Sequence, residues 1–378
     1  MTAEVLESFD VLPGLRPEWE RLFRLRPHEP STSFEWTAAM ARHHVRASDR
    51  GYVVRLLRDG VLVGLVPLVL RSLAVMGVKV RALTPLAETY NTHSDLLLDA
   101  PASDVVSTLV ATLSTLGARW DVFRMARLLE DNPLVPVLQA ALGDRGHQQA
   151  RRAGLPAYVL ALPDTYDAYL RARSAKFRNH LRRTERKLAA AGVVEVRELQ
   201  VGEDFDAAYD ALLQVERASW KQAHGTAITA VERQAAFYRD FGREAFAAGR
   251  LHVQWLSLDG RPIAYNLGYL TAGGYHYLKT SYDHDARALG PATVLRARLV
   301  EGLIARGVAR LDFPGEPYEW ESQWTDTIRW RTVVSGYART LRGRVLAAVE
   351  RVRHRHAGER RVVHVDPRAQ RPPRPTHA

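Results

Sequence analysis

The sequence predicts an α/β protein, a mixed sheet with helices on both faces, built twice in tandem. The first observation is a pair of hairpins that turn on the same dipeptide 200 residues apart. They are Arg58-Asp-Gly-Val-Leu-Val-Gly-Leu65 and Leu258-Asp-Gly-Arg-Pro-Ile-Ala-Tyr265. Asp-Gly flanked by alternating apolar residues is a strong short-range hairpin signal. The second is the run of elements after each hairpin: a strand, a helix closed by glycine (Gly117, then Gly307) and another strand. A shared order of elements at long period identifies a repeated unit better than any one strand does.

From the N-terminus, a strand is expected over residues 4–10 and a helix from Pro17 to Arg26. Ser33 is placed to cap a second helix through Trp36, Met40 and His44. The hairpin occupies 52–70, with further strands near 75–84 and 94–98. Ser103 is expected to cap a helix whose apolar face is Val106, Leu109, Val110 and Leu113. A strand at 120–127, a helix at 134–142 and a strand near 157–162 complete the first unit. The second has its hairpin at 251–270, a strand at 275–281, a helix at 291–306 and a strand at 309–313. The expected domains are 1–163, 164–345 and a basic tail, 346–378, too rich in Arg and Pro to fold.

Composition narrows the chemistry. The 378 residues contain no cysteine, which removes disulfides, thiolate metal sites and cysteine nucleophiles. His252, His276 and His284 lack metal-ligand partners at the usual spacing, so no metal is expected. No apolar run approaches the roughly 20 residues of a membrane helix, and residues 1–10 do not read as a signal peptide, so a cytoplasmic, non-membrane protein is expected. Of the net charge of +11, the segment from Arg342 onward carries +7, leaving +4 for the other 341 residues. The basic balance therefore belongs mostly to the tail, and the folded body does not read as a nucleic-acid binder.

Two stretches are candidates for chemistry. From Tyr275 to Leu295 the chain reads as strand, loop and a helix opening at Gly290-Pro291, with Pro291 suited to a first helical turn. Backbone N–H groups at that positive end, beside Arg287, suit an anion such as a pyrophosphate. A plain helix cap is the competing reading, but the matching segment of the first unit, Asp99-Ala-Pro-Ala-Ser-Asp104, has two acids and neither basic residue nor glycine, so if one unit holds such an anion it is the second. The other stretch is Ser174 to Gly192, a helix with Phe177, Leu181, Thr184 and Leu188 as its buried stripe. Lys176, Arg183 and Lys187 share one further face and Arg178, Arg182 and Arg186 another, with Glu185 the one acid among them. A merely solvated helix would alternate charge sign, so an anion-facing role competes with simple exposure.

These residues resemble a known superfamily. Arg287-Ala-Leu-Gly-Pro-Ala292 is similar to the Gln/Arg-x-x-Gly-x-Gly/Ala signature of GNAT-type N-acyltransferases. The order of Lys176-Phe-Arg-Asn-His-Leu-Arg-Arg183, Glu216-Arg-Ala-Ser-Trp-Lys221, Asp259-Gly-Arg-Pro-Ile-Ala264, Leu311-Asp-Phe-Pro-Gly-Glu-Pro-Tyr318 and Trp324-Thr325 resembles the CelD/BioF2-like group, which is related to the Fem-type aminoacyl transferases. The likeness covers about 165–330 and is weaker over 1–160. It implies tandem GNAT-like domains, the second binding acyl-CoA (acetyl-CoA as the expected donor) through Arg287, Ala288, Leu289, Gly290, Pro291 and Ala292, with pantetheine along Tyr277 and Lys279. It also implies direct transfer of the acyl group to an amine of a small molecule or amino sugar, with no covalent protein intermediate.

Direct transfer needs a base, an oxyanion donor and an acid for the leaving thiolate. Glu216 is the first candidate base and Asp283 the second, an ordinary cap or surface carboxylate being the competing reading of each. Tyr282 and Tyr318 are candidate acids, with packing the competing role. Lys176, Arg178, Arg183, Trp220, Lys221 and Trp324 are candidates for the acceptor site, although an aromatic cluster is more often core. Two alternatives stand beside the main reading: a Fem-like transferase drawing on aminoacyl-tRNA, and a non-catalytic polysaccharide-assembly factor with the same fold.

Overall fold

The computed structural model describes residues 1–357 apart from 27–28, 76–77, 87–89, 91–92, 117–118 and 316–317. The tail from residue 358 and the helix stop expected at Gly117 lie outside the described residues.

The first half runs β1 (Thr2–Leu6), α1 (Leu12–Leu25), α2 (Phe34–His44), β2 (Arg50–Arg58), β3 (Val61–Val75), β4 (Val78–Pro85), β5 (Leu97–Leu98), α3 (Ser103–Thr115), β6 (Val122–Leu129), α4 (Leu134–Asp144) and β7 (Gln148–Ala153). The second continues with β8 (Ala157–Ala161), α5 (Tyr166–Ala172), α6 (Ala175–Ala189), β9 (Val194–Glu198), α7 (Phe205–Arg217), α8 (Trp220–Ala223), α9 (Glu232–Ala247), β10 (Leu251–Leu258), β11 (Arg261–Thr271), β12 (Gly274–Tyr282), α10 (Pro291–Ala305), β13 (Arg310–Asp312), β14 (Ile328–Arg329), β15 (Arg331–Tyr337) and α11 (Leu341–Ala357). The two hairpins are present where expected, and both Asp59 and Asp259 take positive φ at their turns. Ser33 and Ser174 cap α2 and α6 through the N–H groups of Trp36 and Phe177. Ala102, not Ser103, occupies the cap position of α3.

The sheets confirm the duplication and show how it is built. One has the order β1-β2-β3-β4-β6-β15-β7, with β5 added beside β3; the other is β9-β10-β11-β12-β13-β8-β14. Each contains one parallel pairing, and in each it lasts two residue pairs. Ala82↔Val122 and Leu83↔Phe123 join β4 to β6, while Tyr275↔Leu311 and His276↔Asp312 join β12 to β13. Beyond those pairs the parallel strands diverge, leaving a wedge at their C-terminal ends.

The last strand of each half is exchanged. β8 lies within the expected first domain but pairs with β13 and β14, whereas β15, within the expected second, pairs with β6 and β7. The two crossings touch: Gly154 N–H donates to the Arg331 carbonyl at 2.7 Å, and Arg331 returns hydrogen bonds to the carbonyls of Leu155 and Pro156, each 2.7 Å. A Cβ on Gly154 would sit 3.1 Å from the Arg331 carbonyl carbon. The sequence reports a strand's alternation but not the edge it joins, so pairing across 163/164 was illegible. Residues 346–357, expected in a disordered tail, are instead helical in α11. Leu346 and Ala347 bury against Val80, Val122 and Tyr337.

Helices cover both faces of each sheet. α3 and α4 pack on one face of the first sheet, and α5, α6 and α10 on one face of the second. The opposite faces meet in a shared core, where Trp36 of α2 lies edge-on to Phe237 and Phe241 of α9, with ring centroids 5.2 and 5.0 Å apart. The buried charges at this junction are paired. Arg250 holds Glu20 and Glu35, and Glu35 also accepts from the Tyr269 hydroxyl at 2.6 Å. Such pairing is what makes a buried carboxylate tolerable.

Candidate active site

The junction between β12 and α10 is the centre of the site. Between them lies a 3₁₀ helix, His284–Leu289, in place of the expected open loop. Its winding uses N–H groups that an open loop would leave free: Ala286 N–H donates to Asp283 and Gly290 N–H to Arg287. Gly290 follows at φ 67°, ψ 40°, a conformation that costs an L side chain but not glycine. A Cβ there would also lie 2.6 Å from Cγ2 of Thr184. Thr184 belongs to the buried stripe of α6, so the basic helix lies directly across the start of α10.

On α6, Phe177, Leu181, Thr184 and Leu188 are buried as the pattern predicts. Lys176, Arg182, Arg183, Arg186 and Lys187 are exposed, and none has a carboxylate partner among the described residues. Glu185 is taken by Arg298 at 3.2 Å. Arg178 differs from its neighbours: it is half-buried and donates to the carbonyls of Leu170 and Arg173, closing α5. Arg287 and Ala288 are exposed beside this face, whereas Pro291 is buried and Leu289 and Ala292 half-buried.

Glu216 and Lys221 are brought together. Glu216 has 0% exposure on α7 and accepts from Tyr265 Oη at 2.5 Å and from Ile228 N–H at 2.8 Å, with Lys221 Nζ at 3.5 Å. Lys221 Nζ also donates to the Thr280 carbonyl on β12. Lys279, next along that strand, has its ammonium 5.5 Å from the centre of the Tyr238 ring. Burial first, then the nearby Lys221 charge, pulls Lys279 down to about 8, against a smaller pull upward from Glu216. Asp283 has a capping role: its side chain accepts from Asp285 N–H at 3.0 Å and pairs with Arg261.

The wedge beyond His276 and Asp312 is lined by Tyr277, Phe313 and Trp320, with ring centroids 5.7 to 6.4 Å apart. Tyr277 is fully buried, its hydroxyl donating to Asn266. Arg296 of α10 lies 3.7 Å over the Trp320 ring and 5.4 Å from that of Trp324. Trp324 is 2% exposed and edge-on to Phe177, so it is a core residue and not a lining of an open cleft. Tyr318 is exposed and stacks on Trp320, Tyr282 is half-buried against the α10 side of the sheet, and Trp220 meets His224 edge-on. None of these three reaches Glu216. A separate cavity of about 500 Å³, lined by Glu7, Asp10 and Asp49 among others, contains none of the expected site residues.

The sequence reading gave no role to Arg296, Glu321 or Tyr265, and placed Thr184 in the buried stripe without its contact to the start of α10. Arg296 lies between Leu295 and Ala297 on the buried side of α10, whereas Arg298 of the same helix is exposed, a difference the helical spacing alone could have shown. Glu321 is fully buried and accepts from Tyr318 N–H at 3.1 Å. Burial raises it to about 8, outweighing that hydrogen bond and the pull of Arg296 and Arg331. The folded state therefore keeps a proton that the unfolded chain sheds above its ordinary value of 4.5. That stabilisation is complete at low pH and is lost as pH rises through 8, with a slope of up to about 1.4 kcal/mol per pH unit. Denaturant unfolding across that window is expected to show a shallower pH slope for Glu321→Gln than for the wild type. An unchanged slope would refute the assignment.

The comparisons agree with this geometry. Residues 175–322 match the model of the acetyltransferase (GNAT) domain. No curated protein matches the chain. Among solved structures, FemX superposes with a TM-score of 0.61 at 9% identity, over 92% of this chain and 100% of that one. The C-terminal domain of a putative lysylphosphatidylglycerol synthetase from Agrobacterium fabrum gives 0.56 at 12%, over 91% and 97%. A conserved protein of unknown function from Bacteroides thetaiotaomicron VPI-5482 gives 0.57 at 12%, over 88% and 100%. The duplicated sheets give the chain a tandem GNAT-like fold, with the matched domain in its second half. Residues 175–322 are thus a GNAT-type domain, and the protein is an acyltransferase.

No group of His, Asp and Glu among the described residues is arranged to hold a metal ion, and no described helix is long and apolar enough to cross a membrane.

Proposed function

We propose that the protein is an acyl-CoA-dependent N-acyltransferase of the CelD/BioF2-like group, with acetyl-CoA as donor and an amine of a small molecule or amino sugar as acceptor. The observation that carries this is the contact of Gly290 with Thr184, which sets the positive end of α10 beside the exposed cations of α6. A diphosphate there meets Arg287 and the Ala292 N–H, while Arg183 and Lys187 face the outer phosphate. The pantetheine arm follows β12 from Tyr282 toward His276, six residues or about 20 Å of strand.

In this reading the half spanning 164–345 binds the donor and the half spanning 1–163 walls the acceptor, both in the cytoplasm. The amine attacks the thioester carbonyl directly. Tyr282 and Tyr318 are candidates to protonate the thiolate, and Glu216, with Lys221 and Lys279, orders the β12 end of the site. Asp283 serves the reaction only by holding the turn that presents Arg287.

Titration of the purified chain with acetyl-CoA and with aminoacyl-tRNA tests the donor. Saturable acetyl-CoA binding supports the proposal. Binding of tRNA alone would replace it with the Fem-like alternative, and binding of neither with the assembly-factor alternative. Arg183→Gln combined with Lys187→Gln is expected to weaken acetyl-CoA binding about tenfold and to flatten its salt dependence. Equal salt slopes for variant and wild type would remove α6 from the donor site.

A further inference from the structure

A second cluster of buried charge lies where the wedge closes. His276 ends the paired part of β12 and Asp312 that of β13. Glu29 reaches them from the segment between α1 and α2, and His93 from the segment before β5. Glu29 Oε2 is 3.4 Å from His276 Nδ1, Asp312 Oδ2 is 3.6 Å from the same nitrogen, and His93 Nε2 is 3.9 Å from Asp312 Oδ1. His276 and Asp312 are 1% and 0% exposed, and Glu29 forms the lip at 13% of its side chain. Glu29 Oε2, Asp312 Oδ1 and His276 Nδ1 have no hydrogen-bond partner among the described residues. Thr271 Oγ1 holds the other ring nitrogen of His276 at 3.0 Å and points toward the Gly274 carbonyl at 3.4 Å. With the ring proton on Nε2, donated to Thr271 Oγ1, the lone pair lies on Nδ1 between the two carboxylates.

Glu29 Oε2 and Asp312 Oδ2 thus flank His276 Nδ1, and once Glu29 is ionised the buried cluster holds two carboxylates whose Glu29 Oε2 and Asp312 Oδ1 have no hydrogen-bond partner among the described residues. Orphaned buried acceptors are costly and rare, and these match the inventory of one kind of ligand. An alkylammonium carries three N–H donors and a positive charge, which also relieves the repulsion between two carboxylates. The geometry points to Glu29, Asp312 and His276 as the subsite for the acceptor's ammonium group, with His276 Nδ1 taking its first proton. The proposal rests on the donor reading above, which brings the thioester to the closed end of the wedge beside this cluster. Both halves contribute: Glu29 and His93 come from the first, His276 and Asp312 from the second.

The transfer balances. The ammonium gives one proton to His276 and becomes a neutral amine, whose nitrogen lone pair attacks the thioester carbonyl carbon. As the C–N bond forms and the C–S bond breaks, the nitrogen loses a second proton and the thiolate gains one, giving amide and free thiol. His276 then releases its proton to water. Burial holds the free imidazole down at about 4, with Asp312 pulling up and Arg310 down, so it is neutral before the amine binds, and the carboxylates of Glu29 and Asp312 beside Nδ1 are what favour its protonation during transfer.

Before the amine binds, Glu29 carries the proton that keeps the cluster neutral. Burial, then Asp312 and Asp95, push it up to about 8, against Arg310 and Arg329. The other charged groups around the cluster are engaged elsewhere. Arg310 holds Asp312 at 2.8 Å, Arg26 is near Asp95 at 3.4 Å, Arg329 pairs with Asp131 at 2.9 Å, and Arg331 clasps the strand crossing. His93 is kept neutral by burial and by Arg331. An incoming ammonium therefore displaces the Glu29 proton.

The test uses the full chain with n-butylammonium as probe and n-butyltrimethylammonium as a control of equal charge without N–H donors. Calorimetry in buffers of different ionisation enthalpy is expected to show saturable n-butylammonium binding at neutral pH, with release of close to one proton. The control is expected not to bind. Glu29→Gln, which keeps the shape of the side chain and removes the repulsion, should weaken the probe about tenfold and abolish proton release. Asp312→Asn should weaken it as well. Acetyl-CoA affinity, measured on the same samples, should stay at the wild-type value. Wild-type chain that ignores n-butylammonium, binds the control equally, or keeps its affinity in both variants would overturn the subsite. Loss of acetyl-CoA binding in the wild type would instead overturn the donor reading.

Discussion

Gly290→Ala is expected to lower acetyl-CoA affinity by roughly ten- to a hundredfold and stability by about 2 kcal/mol. Two independent effects add there. A left-handed conformation costs an L residue about 1–2 kcal/mol, and Gly290 has φ 67°. The new Cβ also meets Thr184 Cγ2 at 2.6 Å, whereas the other Thr184 side-chain atoms are 3.9 Å away. Relief of that clash must move α6 or the start of α10, which separates the cations from the helix end. Thr184→Ala removes Cγ2, so the double variant is expected to recover the packing part and retain the conformational part. A double-mutant cycle by isothermal titration separates them. Wild-type affinity in Gly290→Ala would mean the junction holds no donor.

Glu216→Ala should be the most destabilising single change in the site, by about 3–5 kcal/mol. It strands the Tyr265 hydroxyl and the Ile228 N–H beside a buried cavity and removes the carboxylate opposite Lys221, whose ammonium keeps the Thr280 carbonyl. Glu216→Gln keeps an acceptor oxygen for Ile228 or Tyr265 and loses the charge opposite Lys221, so about 1–2 kcal/mol is expected. The pair discriminates roles. A Gln variant that unfolds near the wild-type denaturant midpoint and has no turnover supports Glu216 in catalysis. A Gln variant with normal turnover makes it a packing carboxylate that braces α7 against β11.

Much of the scaffold was legible because the deciding signals are local. Asp59-Gly60 and Asp259-Gly260 name their turns, Ser33 and Ser174 cap their helices, and the α6 stripe follows from spacing alone. Gly290-Pro291 announced both the turn and the helix behind it. Long-range choices were not legible. Nothing local to Ala157–Ala161 or Arg331–Tyr337 tells which sheet each strand completes. Burial was misread for the same reason. Trp324 and Arg178 look like binding residues in the sequence, yet one is core and the other ties down the end of α5. The Glu29, His93, His276 and Asp312 cluster was invisible because its members are scattered over nearly 300 residues and become neighbours only through the strand pairing.

The exchanged strands also bear on how the chain is made. A ribosome emits Ala157–Ala161 about 150 residues before the Arg310–Asp312 strand it pairs with, and Arg331–Tyr337 long after the first sheet is otherwise complete. Until residue 337 emerges, the nascent first half has an open edge at β6, and β8 waits without a partner until Arg310–Asp312 is made. Neither half can complete its sheet until strands of the other have emerged, so the two halves assemble together rather than one after the other. A released fragment ending before β15 is a candidate for edge-to-edge association with its own kind.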